Sequence, residues 1–268
     1  MLDRPTTKTQ PPLLAMQDVR KTFANGLLAL DGVTLTLPGE PQFLAVLGPS
    51  GCGKSTMLRI AANLDAPSSG AIGWPAFDEA RKRGWGLNIG YVFQEPTLMP
   101  WATIFDNVRL PLRIKGLSAS KVSDHVMDML SRVGLRDFAR SYPRELSGGM
   151  RMRASVARAL VTEPQLLLMD EPFAALDEIT RAKLEGDLLG LWLSSQFTIV
   201  FVTHSVFEAV FLASRIIVMT PRPGRIAADM KIDAPYPRTE EHRMSADYIA
   251  QCREVSEALG RAMSEARS

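Results

Sequence analysis

Short apolar runs of strand length recur along the chain at residues 43–47, 166–169, 198–202 and 216–219. Each is apolar at successive positions, so both faces of the strand are expected to be covered, as in a parallel sheet lying between helices. Segments 147–160, 178–193 and 206–213 carry helical patterns among those runs, and the alternation predicts a doubly wound α/β layout. Ahead of residue 43, strand-like runs at 13–19 and 27–37 flank the turn Ala24-Asn25-Gly26, which predicts antiparallel strands at one side. From Pro96 to about Leu146 the pattern is helical, including 121–133, with no buried strand; Pro143 precedes its last element. The tail from Pro221 onward is polar with Pro-rich turns, then amphipathic from about 245 to 263.

A length of 268 residues suits one elaborated α/β domain better than two, and 46% hydrophobic against 22% charged residues marks an ordinary globular chain. Lys and Arg total 31 against 29 Asp and Glu, so the net charge of +2 gives no electrostatic basis for wrapping a polyanion, and nucleic acid is not expected as a partner. Cys52 and Cys252 lie too far apart for a metal or redox motif, which fits a reducing compartment. Residues 1–12 lack the apolar core of a signal peptide and read as a flexible lead-in. The most apolar stretch, 198–219, is broken by His204, Glu208 and Arg215 and falls short of the roughly 18–20 uncharged residues that span a bilayer. Contact with a membrane is therefore expected through a partner.

The chemistry starts at Gly48-Pro49-Ser50-Gly51-Cys52-Gly53-Lys54-Ser55, a Gly, four residues, then Gly-Lys-Ser, placed between an apolar strand and a helix. In such a P-loop the glycines let backbone amides curl around phosphate oxygens and the helix N-terminus adds partial positive charge. Lys54 would reach the β and γ phosphates, Ser55 would ligate Mg²⁺, and Thr56 completes the nucleotide-binding run. A second carboxylate element is expected to help hold the metal, and Leu166-Leu167-Leu168-Met169-Asp170-Glu171 supplies it at the end of a strand. Asp170 is the metal-side candidate. Glu171, next in an extended chain, is expected to point to the other side, where it would act as general base on a water in line with the γ phosphate.

Kinases, GTPases and helicases share those two elements, and the segment Leu146-Ser147-Gly148-Gly149-Met150, followed by Arg151-Met152-Arg153, decides among them. It resembles the signature of the ABC ATPases, which precedes the Asp-Glu strand in that family. Physically, Ser147 can cap the helix it opens while Gly148 and Gly149 present a second anion-binding helix end. The resemblance implies a P-loop NTPase (RecA-like) core with an N-terminal antiparallel β subdomain and a helical signature subdomain. It also implies two copies sandwiching two ATP molecules, each nucleotide held by the P-loop of one chain and Ser147, Gly148 and Gly149 of the other. Gln94 resembles the Q-loop glutamine that touches Mg²⁺ and links the site to the permease, and Ala174-Ala175-Leu176-Asp177 resembles the D-loop that crosses the dimer. His204 resembles the switch histidine at the γ phosphate, and Phe23 the aromatic that stacks on adenine.

The resemblance covers nearly all of 13–230, with the helical insertion at about 96–160 and a tail at 231–268 that either regulates turnover or only packs. Leu98-Met99-Pro100-Trp101, Asp106-Asn107-Val108, Met150, Phe173-Ala174-Ala175-Leu176-Asp177 and Arg222-Pro223-Gly224-Arg225-Ile226 look like the nitrate, sulfonate and taurine importers, whose style pyrimidine-precursor importers share. Trp101 has two readings, a permease contact or a core residue at a helix start. Met152, Ser205, Ser214 and Pro41-Gln42 depart from the common pattern without removing a catalytic group. The resemblance thus implies an ATP hydrolase on the cytoplasmic face of a bacterial plasma membrane, using ATP and Mg²⁺. It would drive import through transmembrane permease subunits and, indirectly, a solute-binding protein. An exporter cassette, a soluble ABC ATPase acting on nucleic acid, and an inactive or regulatory cassette are the rivals.

Overall fold

The computed structural model describes residues 10–82, 88–195 and 197–265. Most of the lead-in expected at 1–12 and the last residues of the tail lie outside them. Among the described residues the core is a six-stranded sheet in the order β5-β6-β7-β3-β8-β9. Its strands are β3 (Phe43–Leu47), β5 (Ile89–Val92), β6 (Leu166–Asp170), β7 (Thr198–Thr203), β8 (Arg215–Met219) and β9 (Ile226–Lys231). All neighbouring pairs are parallel except β8 with β9.

The continuous apolar runs are explained by two cores on opposite faces. In β3, Phe43, Ala45 and Leu47 join one cluster and Leu44 and Val46 the other. In β6, Leu167 and Met169 face the first and Leu166 and Leu168 the second; β7 divides Ile199 and Phe201 from Val200 and Val202. This is the period-2 alternation of strand side chains with apolar partners on both sides. The first face is covered by α3 (Ile104–Ile114), α4 (Ala119–Arg132), α5 (Gly148–Leu160), α6 (Glu178–Leu193), α7 (Val206–Leu212) and α9 (Ala246–Glu265). The second is covered by α1 (Lys54–Ala61), α2 (Pro75–Lys82) and a three-stranded antiparallel sheet ordered β2-β1-β4. In that sheet β1 (Leu14–Thr22) and β2 (Leu28–Leu37) form the expected pair around the 24–26 turn, and β4 is Ser69–Gly73.

Three strands escaped the hydrophobic pattern. β4 is Ser-Gly-Ala-Ile-Gly and largely exposed, β5 is only four residues long, and β9 alternates half-buried with exposed positions as an antiparallel edge. Each is recruited by a neighbour whose own hydrogen bonds would otherwise go unmet, a tertiary effect that local composition does not carry.

The connection between β8 and β9 runs beneath the 48–54 loop. The Gly224 N–H donates to the Ala29 carbonyl at 2.9 Å, and the Asp31 N–H donates to the Gly224 carbonyl at 3.0 Å. Arg225 Nε donates to Asp31 Oδ2 at 2.9 Å, and Arg225 and Arg20 together hold the Asp31 carboxyl below the usual carboxylate range. At Gly224 a Cβ would lie 2.1 Å from the Cys52 carbonyl oxygen, so one backbone rests directly on the other. Gly224→Ala must push the two apart. It is expected to lower the unfolding free energy by about 1–3 kcal/mol, the range for overpacking, and to weaken ATP binding; urea denaturation and nucleotide titration of the same variant check both.

Candidate nucleotide-hydrolysis site

Three adjacent strands, β3, β6 and β7, deliver the polar residues from their C-terminal ends, where ligands bind in open parallel sheets. β3 stops at Leu47 and the chain turns through 48–53 into α1. Gly53 has φ of 104° and a Cβ there would meet the Ala29 carbonyl at 2.8 Å, so the turn requires glycine on conformation and on space. No side chain caps α1, which leaves its first backbone N–H groups open to an anion. Lys54 is buried, and its Nζ donates to the carbonyls of Gly48 at 2.8 Å and Pro49 at 3.0 Å.

Ser55 Oγ donates to Asp170 Oδ1 at 2.8 Å, and Tyr91 OH lies 3.4 Å from Asp170 Oδ2. Burial raises the Asp170 carboxyl above the usual range. A hydroxyl beside a partly desolvated carboxylate is a hard-oxygen pair that a divalent cation would relieve, and it fits Mg²⁺. With the phosphates of a nucleotide, Ser55 and Asp170 would hold that ion, which supplies charge neutralisation at the transferring phosphate.

Glu171 corrects one expectation. The strand ends at Asp170, and Glu171 adopts φ of 45°, a left-handed conformation that is strained for a residue with a Cβ. Its N–H still donates to the Val202 carbonyl at 3.1 Å. The turn brings its carboxylate to Lys54 Nζ at 3.3 Å and His204 Nδ1 at 3.1 Å, so extended-strand alternation is not what aims it. Lys54, Glu171 and His204 thus meet, with the imidazole half exposed at the mouth.

The remaining predicted residues lie apart from this cluster. Gln94 is exposed two residues beyond β5, and no hydrogen bond joins it to Ser55 or Asp170 among the described residues. Phe23 is 39% exposed in the β1–β2 turn, with Lys21 Nζ 5.5 Å from its ring centroid. Ser147 caps α5, accepting from the Met150 N–H at 3.3 Å, and Ser147 and Gly148 are exposed. This helix end neighbours Leu176 and Thr180, and no hydrogen bond connects it to the 48–56 loop of its own chain among the described residues. Pro49, Ser50 and Gly51 line the open loop, whereas Cys52 is buried and burial pushes its thiol up. A thiol so placed is a poor target for alkylation. Tyr91 escaped the sequence reading although it stands three residues before Gln94; a strand-end tyrosine carries no pattern of its own.

A loop with open amides around a buried lysine, a hydroxyl–carboxylate pair for a metal and a carboxylate facing the same lysine define a P-loop nucleotide hydrolase. Residues 30–174 match the model of the ABC transporter family, and the chain belongs to that family as an ATP-hydrolysing cassette, as its motifs led one to expect. It is 46% identical over 228 residues to an ATP-binding protein of Brucella abortus (84% of this chain, 85% of the relative). It is 41% identical over 229 residues to the aliphatic sulfonates import ATP-binding protein SsuB of Bacillus licheniformis (84% and 87%), and 43% identical over 205 residues to the taurine import ATP-binding protein TauB of Rhizobium johnstonii (76% and 77%). Among solved structures it resembles the ATP-binding cassette MJ0796, a dimer in a post-hydrolysis state with ADP and Pi. The TM-score is 0.69 at 34% identity, covering 83% of this chain and 100% of that one.

Glu171→Gln removes the carboxylate and leaves the loop amides and Lys54 in place. ATP affinity is expected to stay near wild type while turnover falls about 10²–10⁴-fold, the usual contribution of a general base. Parallel nucleotide titration and phosphate-release assays check this; hydrolysis at the wild-type rate would remove Glu171 from the chemistry.

Proposed function

We propose that this chain is the ATPase subunit that energises import of a small solute through a partner permease, working as a pair of identical subunits on the cytoplasmic face of a bacterial plasma membrane. The observation that carries the reading is the convergence of Lys54, Glu171 and His204 beside the Ser55–Asp170 pair, while Ser147 and Gly148 are exposed and, among the described residues, hydrogen-bonded to none of them. An exposed anion-binding helix end with no nucleotide contact in its own chain suits a site completed by a second copy.

In the reaction as proposed, the 48–56 backbone and Lys54 bind the phosphates, and Ser55, Asp170 and Gln94 would hold Mg²⁺. Glu171 takes the proton of the attacking water, His204 contacts the γ phosphate, and Phe23 stacks on adenine. Ser147, Gly148 and Gly149 of the other subunit close the nucleotide in. Closure follows because the cross-subunit contacts exist only in the paired state, giving ATP the differential affinity that shifts the population.

Import of sulfonate-, nitrate- or taurine-type solutes, or of pyrimidine precursors, is supported by the named relatives and by the 98–101 and 222–226 segments. Trp101 is 77% exposed, so its reading as a core residue fails, and the exposed indole supports the reading as a permease contact. Among the described residues no helix is long and apolar enough to cross a membrane, in keeping with attachment through a permease. A solute-binding protein would deliver the solute.

In the Glu171→Gln background, ATP is expected to convert monomer to dimer on size exclusion. Adding Ser147→Arg should abolish that dimer while monomer ATP binding persists; a dimer that survives Ser147→Arg refutes the cross-subunit site. Import itself is tested by purification from native membranes, where a permease and a solute-binding protein are expected to accompany the chain.

A further inference from the structure

A set of buried polar contacts surrounds His204 that the hydrolytic reaction itself does not use. β7 ends at Thr203 and α7 starts at Val206, so His204 and Ser205 make the whole connection. The Thr203 hydroxyl accepts from the Ser205 N–H at 3.0 Å and donates to Glu208 Oε2. Ser205 Oγ in turn accepts from the Glu208 N–H at 3.3 Å. Glu208 is buried, 7% exposed, and its second oxygen lies 3.5 Å from Arg181 Nε. Arg181 Nη2 donates to the Leu176 carbonyl at 2.8 Å, one residue before Asp177.

We propose that Glu208 and Arg181 are positioning residues for His204. The carboxylate holds Thr203, whose hydroxyl in turn holds the Ser205 N–H on the other side of the histidine, and Arg181 lies between that carboxylate and the Leu176–Asp177 turn. The inference rests on the assignment of His204 to the γ phosphate and of residues 174–177 to the dimer interface. Through these contacts, arrival of the second subunit at Asp177 would bear on the orientation of the imidazole without any group crossing the site.

Stability alone accounts poorly for this arrangement. Arg181 is a third exposed and its Nε stands 3.5 Å from the carboxylate with no hydrogen bond, so the ion pair itself adds little. Nor does α7 need Glu208 to stay in place. Its far end is fixed independently by Arg238, whose Nη1 donates to the carbonyls of Val210, Phe211 and Ala213, and by Tyr236 OH, which donates to the Leu212 carbonyl. What Glu208 adds is local to the residues flanking His204.

The experiment compares Glu208→Gln, Arg181→Gln and Thr203→Val, each in the wild-type and His204→Ala chains, by Mg²⁺-free ATP affinity, kcat and thermal midpoint. Thr203→Val is nearly isosteric and serves if loss of a buried charge disturbs folding; Thr203→Ser is the conservative rescue. Expected in the wild-type background is a fall in kcat of about 10–100-fold, as for a small misplacement of a reacting group, with ATP affinity within about twofold and kcat restored by Thr203→Ser. In the His204→Ala background none should lower kcat further, since residues acting as one unit are not additive. An additive fall, or a joint loss of affinity and kcat, overturns the proposal in favour of a packing role. A normal rate in Glu208→Gln and Thr203→Val beside a slow His204→Ala overturns it alone, whereas a normal rate in His204→Ala overturns the histidine assignment and the proposal with it.

Discussion

The ammonium group of Lys54 sits where water does not reach, and the rest of the site is arranged around that fact. A buried unpaired cation is costly enough that it must be compensated or lose its charge. Here the compensation is local: two carbonyls of the loop that precedes it and, at 3.3 Å, the Glu171 carboxylate. The carbonyls of Gly48 and Pro49 can turn inward only because the loop folds back on itself, which in turn needs the left-handed Gly53 and the support of residues 220–225 beneath it. The glutamate reaches the lysine only through its own left-handed turn. Removing the charge of Lys54 would therefore take away the partner of the strained Glu171 turn as well as a phosphate contact.

The same buried charge links binding to chemistry on the proposed reading. With the lysine shared between Glu171 and the loop, an incoming phosphate competes with the carboxylate for one cation. His204, within hydrogen-bond distance of the other oxygen of Glu171, is the remaining group that sets its direction. This gives a physical reason for holding the switch loop firmly, and for expecting disturbances at Thr203 or Glu208 to affect turnover before affinity.

Much of the fold and site was legible in the sequence because the strongest signals are those that local chemistry forces. The fully buried β3, β6 and β7 are continuous apolar runs since two cores demand it, and the 48–55 spacing reflects the loop geometry. Legibility ended where a conformation depends on distant partners. Nothing between Met169 and Pro172 announces that Glu171 turns left-handed, because its partners are distant in sequence: the Val202 carbonyl on the next strand and Lys54 at the start of α1. The strand at 226–231 reads as polar because it meets the sheet at an edge, with one face in water. Tyr91 and Glu208 carry no motif, and only the packing of β5 against β6 and of α7 beneath β7 gives them partners.

The placement of Ser147 bears on how two such sites would work together. A chain that closed its own nucleotide site would hold the phosphates between two helix ends, α1 and α5, and would have little left for a partner to change. In this fold the two ends are built on different elements: α1 follows the central β3, whereas α5 packs on α3, α4 and α6. Asp177, which caps α6 by accepting from the Thr180 N–H at 2.9 Å, lies on the side of α5, and Arg181 one turn on reaches Glu208. On the proposed reading, the helix end offered to the other subunit's nucleotide and the turn holding this subunit's histidine are joined through α6. If that helix transmits as well as supports, occupancy of one composite site would be felt at the imidazole of the other, and the pair would hydrolyse as a unit.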